Sequence, residues 1–178
     1  MRTLRRKVSI AKDVKTLKIV TVVGSKKGGK TTVVCKLVEQ LKASGYKVAT
    51  VKFFERAASI DVSYKETDLY RRAGSDLTIA SGVSETAVLK KVQNREGLAQ
   101  LLTYVPGDID FLICEGIVDE DLHRVVVVRE PSDIDQYVNT KTFAISGVVA
   151  GKAFRHRLPI VDVTVDPEKL AELVMSLT

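Results

Sequence analysis

One segment of this chain has the residue types and spacing needed to bind a polyphosphate. It fits the pattern G-x-x-x-x-G-K-[ST] and consists of Gly24, Ser25, Lys26, Lys27, Gly28, Gly29, Lys30, Thr31 and Thr32. A glycine-rich turn that opens a helix directs backbone N–H groups toward phosphate oxygens. Lys30 can reach the β- and γ-phosphates, and the Thr31 hydroxyl can ligate Mg²⁺. This segment is therefore the predicted nucleotide-binding loop.

The flanking sequence supplies the elements that such a loop requires. An apolar run over residues 18–23 predicts a strand before the loop. After the loop, Val33, Leu37 and Leu41 recur at helical spacing and predict an amphipathic helix. Further along, unbroken apolar runs such as 111–114 are typical of strands covered on both faces. The predicted fold class is α/β: a P-loop NTPase with a mostly parallel central sheet and helices on both faces.

The remaining elements are predicted from apolar runs, helical spacing and glycine or proline boundaries. Further strands are expected at 46–53, 77–80, 85–90, 124–129, 143–149 and 160–163, and further helices at 65–74, 96–104 and 167–177. Asp166 is the predicted N-cap of the last helix.

A nucleotide site also needs an acidic residue near the metal, and Glu115 is the main candidate. It ends the apolar run 111–114, and open α/β sheets place ligands at the carboxyl ends of their strands. An acid there can hold Mg²⁺ or orient a water. Asp61 and Glu66 follow the second strand on the same side, and either can be a further ligand. The predicted metal ligands are Thr31, Asp61 and Glu115, and the predicted catalytic residues are Glu115 and Asp61.

Several other polar residues are predicted to be structural. Asp108 and Asp110 precede the strand that ends at Glu115, so they are expected in a solvated loop at its far end. Cys35 and Cys114 form no metal or redox motif and are expected to be small buried residues. The two histidines have no neighbours at ligand spacing.

The charge of the chain is concentrated at its start. The 178 residues carry a net charge of +6, and residues 1–18 hold seven Lys or Arg and one Asp. The remaining residues are neutral, which argues against a nucleic-acid-binding face. The apolar runs are too short to span a membrane, and no signal peptide is evident. The predicted organisation is a basic arm over 1–18 and a single P-loop domain over 19–178, in a cytoplasmic protein.

From about Ile19 onward, the ordered motifs resemble the molybdopterin-guanine dinucleotide biosynthesis protein B family (MobB). The resemblance is carried by the nucleotide-binding loop, by Asp61 with Lys65-Glu66-Thr67 and Ala73-Gly74-Ser75, and by Cys114-Glu115-Gly116. It implies a MinD-like P-loop fold, GTP and Mg²⁺ as ligands, and a homodimer. It also implies an accessory role, with slow GTP hydrolysis, to the guanylyltransferase that builds the guanine dinucleotide form of the molybdenum cofactor.

The chain departs from the family pattern at four points, of which Lys65-Glu66-Thr67 in place of Lys-Asp-Ser is a conservative change. No histidine follows Lys52, where family members commonly show Lys-His, and Ile117-Val118 replaces a common Phe-Lys. Ser146-Gly147 stands where members often carry Ser-Asp. An aspartate there can accept hydrogen bonds from the guanine N1 and N2 donors, so Gly147 removes one means of distinguishing guanine from adenine.

Two other functions stay open at this point. An ATP-dependent small-metabolite kinase needs an acceptor site and an arginine-bearing lid, for which Arg155 and Arg157 are the clustered candidates. A non-catalytic regulator would hold nucleotide only as a structural or regulatory ligand. Under the leading hypothesis, catalysis is at most that of a weak P-loop GTPase.

Overall fold

The computed structural model describes residues 16–54 and 65–177. They divide into two compact units. The first contains the described residues up to Phe53 together with those from Pro106 onward, and the second spans Phe54–Val105.

The elements alternate between strands and helices along most of the chain. In chain order they are β1 (Lys18–Val23), α1 (Lys30–Ala43), β2 (Val48–Lys52), α2 (Lys65–Arg72), β3 (Leu77–Ser81), β4 (Thr86–Lys90), α3 (Leu98–Leu102), β5 (Phe111–Glu115), β6 (His123–Val127), β7 (Thr142–Ser146), β8 (Ile160–Val161) and α4 (Pro167–Met175). Two 3₁₀ helices, Pro131–Gln136 and Val148–Gly151, follow β6 and β7.

The first unit is built on a six-stranded sheet with the order β2-β5-β1-β6-β7-β8. Every neighbouring pair in it is parallel. Such a sheet is covered on both sides, which explains why all five residues of β5 are buried. The predicted fold class, an α/β P-loop NTPase with a mostly parallel sheet, is confirmed.

Alternate residues of the strands face two separate hydrophobic clusters. Val125 and Val127 of β6 pack in a cluster with the buried stripes of α1 and α4. Val126 and Val128 pack instead with Ile134 and Val149 from the two 3₁₀ helices. Because successive strand residues point to opposite faces, the two α-helices share one face and the 3₁₀ helices cover part of the other. The 3₁₀ helices were not among the predicted elements.

One cysteine differs from its prediction in exposure. Cys35 is exposed, because it lies two residues from both Val33 and Leu37 and therefore faces away from the buried side of α1. Cys114 is buried as expected in the middle of the sheet, and burial raises the pKa of its thiol to about 12.

Asp110 also differs from its prediction, since it is not a solvated loop residue. Asp110 is only 6% exposed, and its Oδ2 accepts a hydrogen bond from the Lys47 backbone N–H at 2.7 Å. Asp108 is exposed and forms an ion pair with Lys47. Both acids therefore lie where β2 and β5 begin, at the end of the sheet opposite Glu115.

The second unit contains the antiparallel hairpin of β3 and β4, as predicted around Ser81 and Gly82. The two faces of this hairpin differ in exposure. Thr78 is buried on one face. On the other face, Ile79 pairs with Val88 across the strands, and each is 58% exposed. No helix in the described ranges has the length and apolar character needed to cross a bilayer.

The division into an arm over 1–18 and one domain over 19–178 stays a prediction. Residues 1–15 lie outside the described residues, and Lys18 is the first residue of β1. Its ammonium donates to the Met175 carbonyl at 3.0 Å and to the Leu177 carbonyl, near the end of α4.

Candidate nucleotide-binding site

The predicted nucleotide-binding loop lies at the carboxyl end of β1, near the middle of the sheet. β1 has β5 on one side and β6 on the other. Of the other strands in this sheet, β2 and β5 lie on one side of β1, and β6, β7 and β8 lie on the other. The chain therefore builds the sheet first on one side of β1 and then on the other, and the change of side occurs at β1. Ligands of open α/β sheets bind at such switch points, outside the carboxyl ends of the strands.

The loop passes so close to β6 that two of its residues must be glycine. A Cβ on Gly24, whose φ is +141°, would lie 1.8 Å from the Val127 carbonyl oxygen. A Cβ on Gly28 would lie 2.7 Å from the same oxygen. The Ser25 hydroxyl accepts a hydrogen bond from the Arg129 backbone N–H at 3.2 Å. Thus β6 supports the loop from one side and fixes its course into α1.

Lys30 directs its ammonium back into this loop. Its Nζ donates to the Gly24 carbonyl at 2.9 Å and to the Ser25 carbonyl at 2.8 Å. Phosphate oxygens are stronger acceptors than these carbonyls, so a bound nucleotide can replace them. Lys26, Lys27 and Thr32, also predicted to bind the nucleotide, are exposed.

The structure brings Thr31 and Glu115 together. The Thr31 hydroxyl lies 3.3 Å from Glu115 Oε2 and 3.4 Å from Oε1. Glu115 ends β5, and its side chain is 11% exposed. A hydroxyl and a carboxylate are hard oxygen donors of the kind that Mg²⁺ prefers, so the donor set fits this metal.

This donor set is incomplete without a nucleotide. Within residues 16–54 and 65–177, no three His, Cys, Asp or Glu side chains cluster closely enough to hold a metal ion. Mg²⁺ usually keeps several waters and binds through one or two protein oxygens plus phosphate oxygens. The pair Thr31 and Glu115 suits that mode of binding.

The other predicted site residues are exposed or lie outside the described residues. Asp61 lies outside the described residues, and Glu66 is exposed in the first turn of α2. Arg155 and Arg157, the candidate lid arginines, are exposed. His156 Nδ1 accepts a hydrogen bond from the Leu158 backbone N–H at 3.1 Å, which gives this histidine a local structural role. The predicted roles of Asp61 and Glu115 stay predictions.

The segment after β7 packs directly on the nucleotide-binding loop. The Val148 backbone N–H donates to the Gly28 carbonyl at 3.0 Å. Gly147 has φ +93°, and a Cβ there would lie 2.2 Å from the same carbonyl oxygen. The buried Ser146 hydroxyl donates to the Val161 carbonyl at 2.6 Å. The absence of an aspartate at 147 is therefore built into the packing of this chain.

Lys52 is a site residue that the sequence predictions did not include. Its Nζ lies 3.2 Å from Glu115 Oε1. Lys52 reaches this position through the pairing of β2 with β5, which places it level with Glu115. Strand order and register depend on contacts between distant segments, so a pattern within one segment does not reveal them.

Solved structures share this architecture. The crystal structure of Bacillus subtilis MobB superposes with a TM-score of 0.70 at 23% identity, over 88% of this chain and 97% of that chain. A MobB protein homolog from Bacillus stearothermophilus gives a TM-score of 0.67 at 21% identity, over 89% and 99%. At these identities the similarity shows the fold alone.

Curated relatives are similar in sequence as well. A protein of Methanocaldococcus jannaschii, named a putative molybdopterin-guanine dinucleotide biosynthesis adapter protein, is 28% identical over 67% of this chain. The alignment covers only 50% of that relative. A probable adapter protein of the same description from Bacillus subtilis is 29% identical over 71% of this chain and 74% of its own length.

The family itself is shown by a match to most of the chain. The family model described as "Molybdopterin guanine dinucleotide synthesis protein B" matches residues 19–150, a range that includes the nucleotide-binding loop, Glu115 and Gly147. The chain therefore belongs to the MobB family.

Proposed function

We propose that this protein binds GTP together with Mg²⁺ and acts as an accessory protein in molybdopterin-guanine dinucleotide biosynthesis. One observation carries the nucleotide part: the Thr31 hydroxyl faces the Glu115 carboxylate at 3.3 Å, at the end of a loop that already holds the Lys30 ammonium. Family membership and the names of the curated relatives support the pathway.

Each residue at this site has a distinct role in the proposal. Backbone N–H groups of the loop and the start of α1 bind phosphate oxygens, and Lys30 offsets their charge. Thr31 and Glu115 hold the metal, which when bound neutralises charge on the β- and γ-phosphates. Glu115 can also orient a water for slow hydrolysis. Asp61 belongs to the proposed metal and catalytic set through its match to the family motif.

We expect GTP to bind more tightly than ATP, by only about tenfold, or roughly 1.4 kcal/mol. Gly147 offers no carboxylate to the guanine N1 and N2 donors. The Ser146, Gly147 and Val149 carbonyls each accept one backbone hydrogen bond. A carbonyl oxygen has a second lone pair, so this segment can still accept from guanine, but more weakly than a carboxylate would. Competition of GTP and ATP for a fluorescent guanine nucleotide analogue in Mg²⁺ measures the preference.

Identifying the nucleotide that co-purifies with the protein is an independent check on this preference. Equal affinities, or a preference for ATP, would contradict the guanine assignment and favour the kinase or regulator alternatives. Failure to bind either nucleotide would contradict the nucleotide-binding proposal as a whole.

The proposal includes a homodimer, and the second unit offers an apolar surface suited to one. Leu77, Ile79 and Val88 lie on the same face of the β3–β4 hairpin and are each more than half exposed. Contiguous apolar surface of this kind is typical of protein–protein contacts. The guanylyltransferase as partner and a cytoplasmic location belong to the same proposal and rest on family membership.

We expect Ile79→Asp to weaken the dimer about tenfold or more, because the carboxylate would be buried without a partner at the interface. Sedimentation equilibrium across a concentration series measures the dissociation constant. Val83→Asp is the matched control, since Val83 is fully exposed at the hairpin turn. An unchanged dimer in Ile79→Asp, or a monomeric parent protein, would contradict this part of the proposal.

A further inference from the structure

A lysine outside the predicted site lies against one of the proposed metal ligands. Parallel pairing of β2 with β5 places Lys52 level with Glu115, and the Lys52 ammonium lies 3.2 Å from Glu115 Oε1. The Phe53 backbone N–H donates to the Glu115 carbonyl at 2.8 Å, so the two strand ends are held together by their main chains. The ion pair is thus positioned by the sheet itself.

The Glu115 carboxylate has a second polar neighbour in the Thr31 hydroxyl, 3.3 Å from Oε2. Its side chain is 11% exposed, whereas that of Lys52 is 47% exposed. A carboxylate with so little solvent needs a positive partner close by. The lysine ammonium can meet that need and can also withdraw into solvent, because its stem is long and flexible.

We propose that Lys52 is the cation that neutralises Glu115 in the metal-free site, and that Mg²⁺ binding displaces it. This inference rests on the proposed function, since it assumes that a nucleotide and Mg²⁺ occupy the loop. Because Mg²⁺ must displace the Lys52 ammonium from Glu115, Lys52 reduces the gain in nucleotide affinity that Mg²⁺ provides. Half-exposed ion pairs are weak, which sets the expected effect at about three- to fivefold.

The test measures the affinity for a fluorescent GTP analogue in excess Mg²⁺ and again in EDTA, and takes the ratio of the two. We expect Lys52→Met to raise this ratio about three- to fivefold, because Mg²⁺ no longer has a competitor at Glu115. Lys52→Arg keeps the cation and should keep the ratio of the parent protein. The ratio cancels any general effect of the variant on nucleotide affinity.

Lys47→Met is the matched control for net charge. Lys47 precedes the same strand, is exposed, and pairs with Asp108 at the opposite end of the sheet. It should leave the ratio unchanged. A second series places Lys52→Met in a Glu115→Gln background. The Lys52–Glu115 ion pair is already absent there, so removal of Lys52 should not alter the ratio. Thermal melting of each nucleotide-free variant checks that it is folded.

An unchanged or lowered ratio in folded Lys52→Met would overturn the proposal. Equal loss of affinity with and without Mg²⁺ would do the same, and would assign Lys52 to direct phosphate contact. A raised ratio that persists in the Glu115→Gln background would show that Lys52 acts through another group. If the parent protein binds no analogue in either condition, the proposed function fails as well, which distinguishes that failure from the others.

Discussion

We expect Lys30→Ala to bind GTP about 100-fold more weakly or worse, with the fold unchanged. The ammonium lies within the nucleotide-binding loop and donates to the Gly24 and Ser25 carbonyls, and phosphate oxygens would replace these acceptors on binding. Each hydrogen bond from a charged donor is worth about 1.5–3 kcal/mol, so losing two such bonds to phosphate accounts for this factor. Isothermal titration calorimetry with GTP and Mg²⁺ measures it.

Lys42→Ala provides the control for loss of charge. Lys42 is exposed in the last turn of α1, so this variant removes the same charge from the opposite end of the helix. Its GTP affinity should stay within about twofold of the parent, because exposed charges more than a Debye length apart are largely screened. Unchanged affinity in Lys30→Ala would contradict the assignment of residues 24–32 as the nucleotide-binding loop.

Much of the fold was predictable because the relevant signals are local. An unbroken apolar run predicts a strand covered on both faces, and the run at 18–23 forms β1. The stripe of Val33, Leu37 and Leu41 is the buried side of α1. Asp166 caps α4 as predicted, by accepting a hydrogen bond from the Lys169 backbone N–H.

The features that were not predictable depend on contacts between segments far apart in the sequence. The 3₁₀ helix at Val148–Gly151 lies in a stretch that reads as a continuation of β7, but Val149 packs instead on the second hydrophobic cluster. Asp110 is buried because the Lys47 N–H, 63 residues away, binds its carboxylate. Lys52 reaches Glu115 only through strand pairing. Local hydrophobic periodicity carries no information on such pairings.

Gly147 shows how such a contact restricts substitution at the site. An aspartate at this position could accept hydrogen bonds from the guanine N1 and N2 donors, so a single substitution could be expected to add a guanine contact. In this chain, however, the backbone at Gly147 has φ +93° and approaches the Gly28 carbonyl closely. Val127 Cγ1 and the Val128 carbonyl oxygen would lie 2.7 and 3.1 Å from a new Cβ. Backbone and β6 side chain together leave no room for a side chain.

We therefore expect Gly147→Asp to lower the free energy of unfolding by about 3–5 kcal/mol, through backbone strain and overpacking. It should also weaken GTP binding, because the new side chain would displace Gly28 and with it the nucleotide-binding loop. Urea unfolding followed by circular dichroism measures the first effect, and calorimetric titration the second.

The matched control for this prediction is Gly151→Asp, which adds the same side chain at the last residue of the 3₁₀ helix that follows Gly147. No atom lies within 4 Å of a Cβ at Gly151, so this variant should change stability by no more than about 0.5 kcal/mol. If the two variants were equally stable, the packing of the segment after β7 against the loop would be wrong. If Gly147→Asp were stable and bound GTP more tightly, this backbone would accommodate an aspartate, and the missing carboxylate would account for a weak preference for guanine.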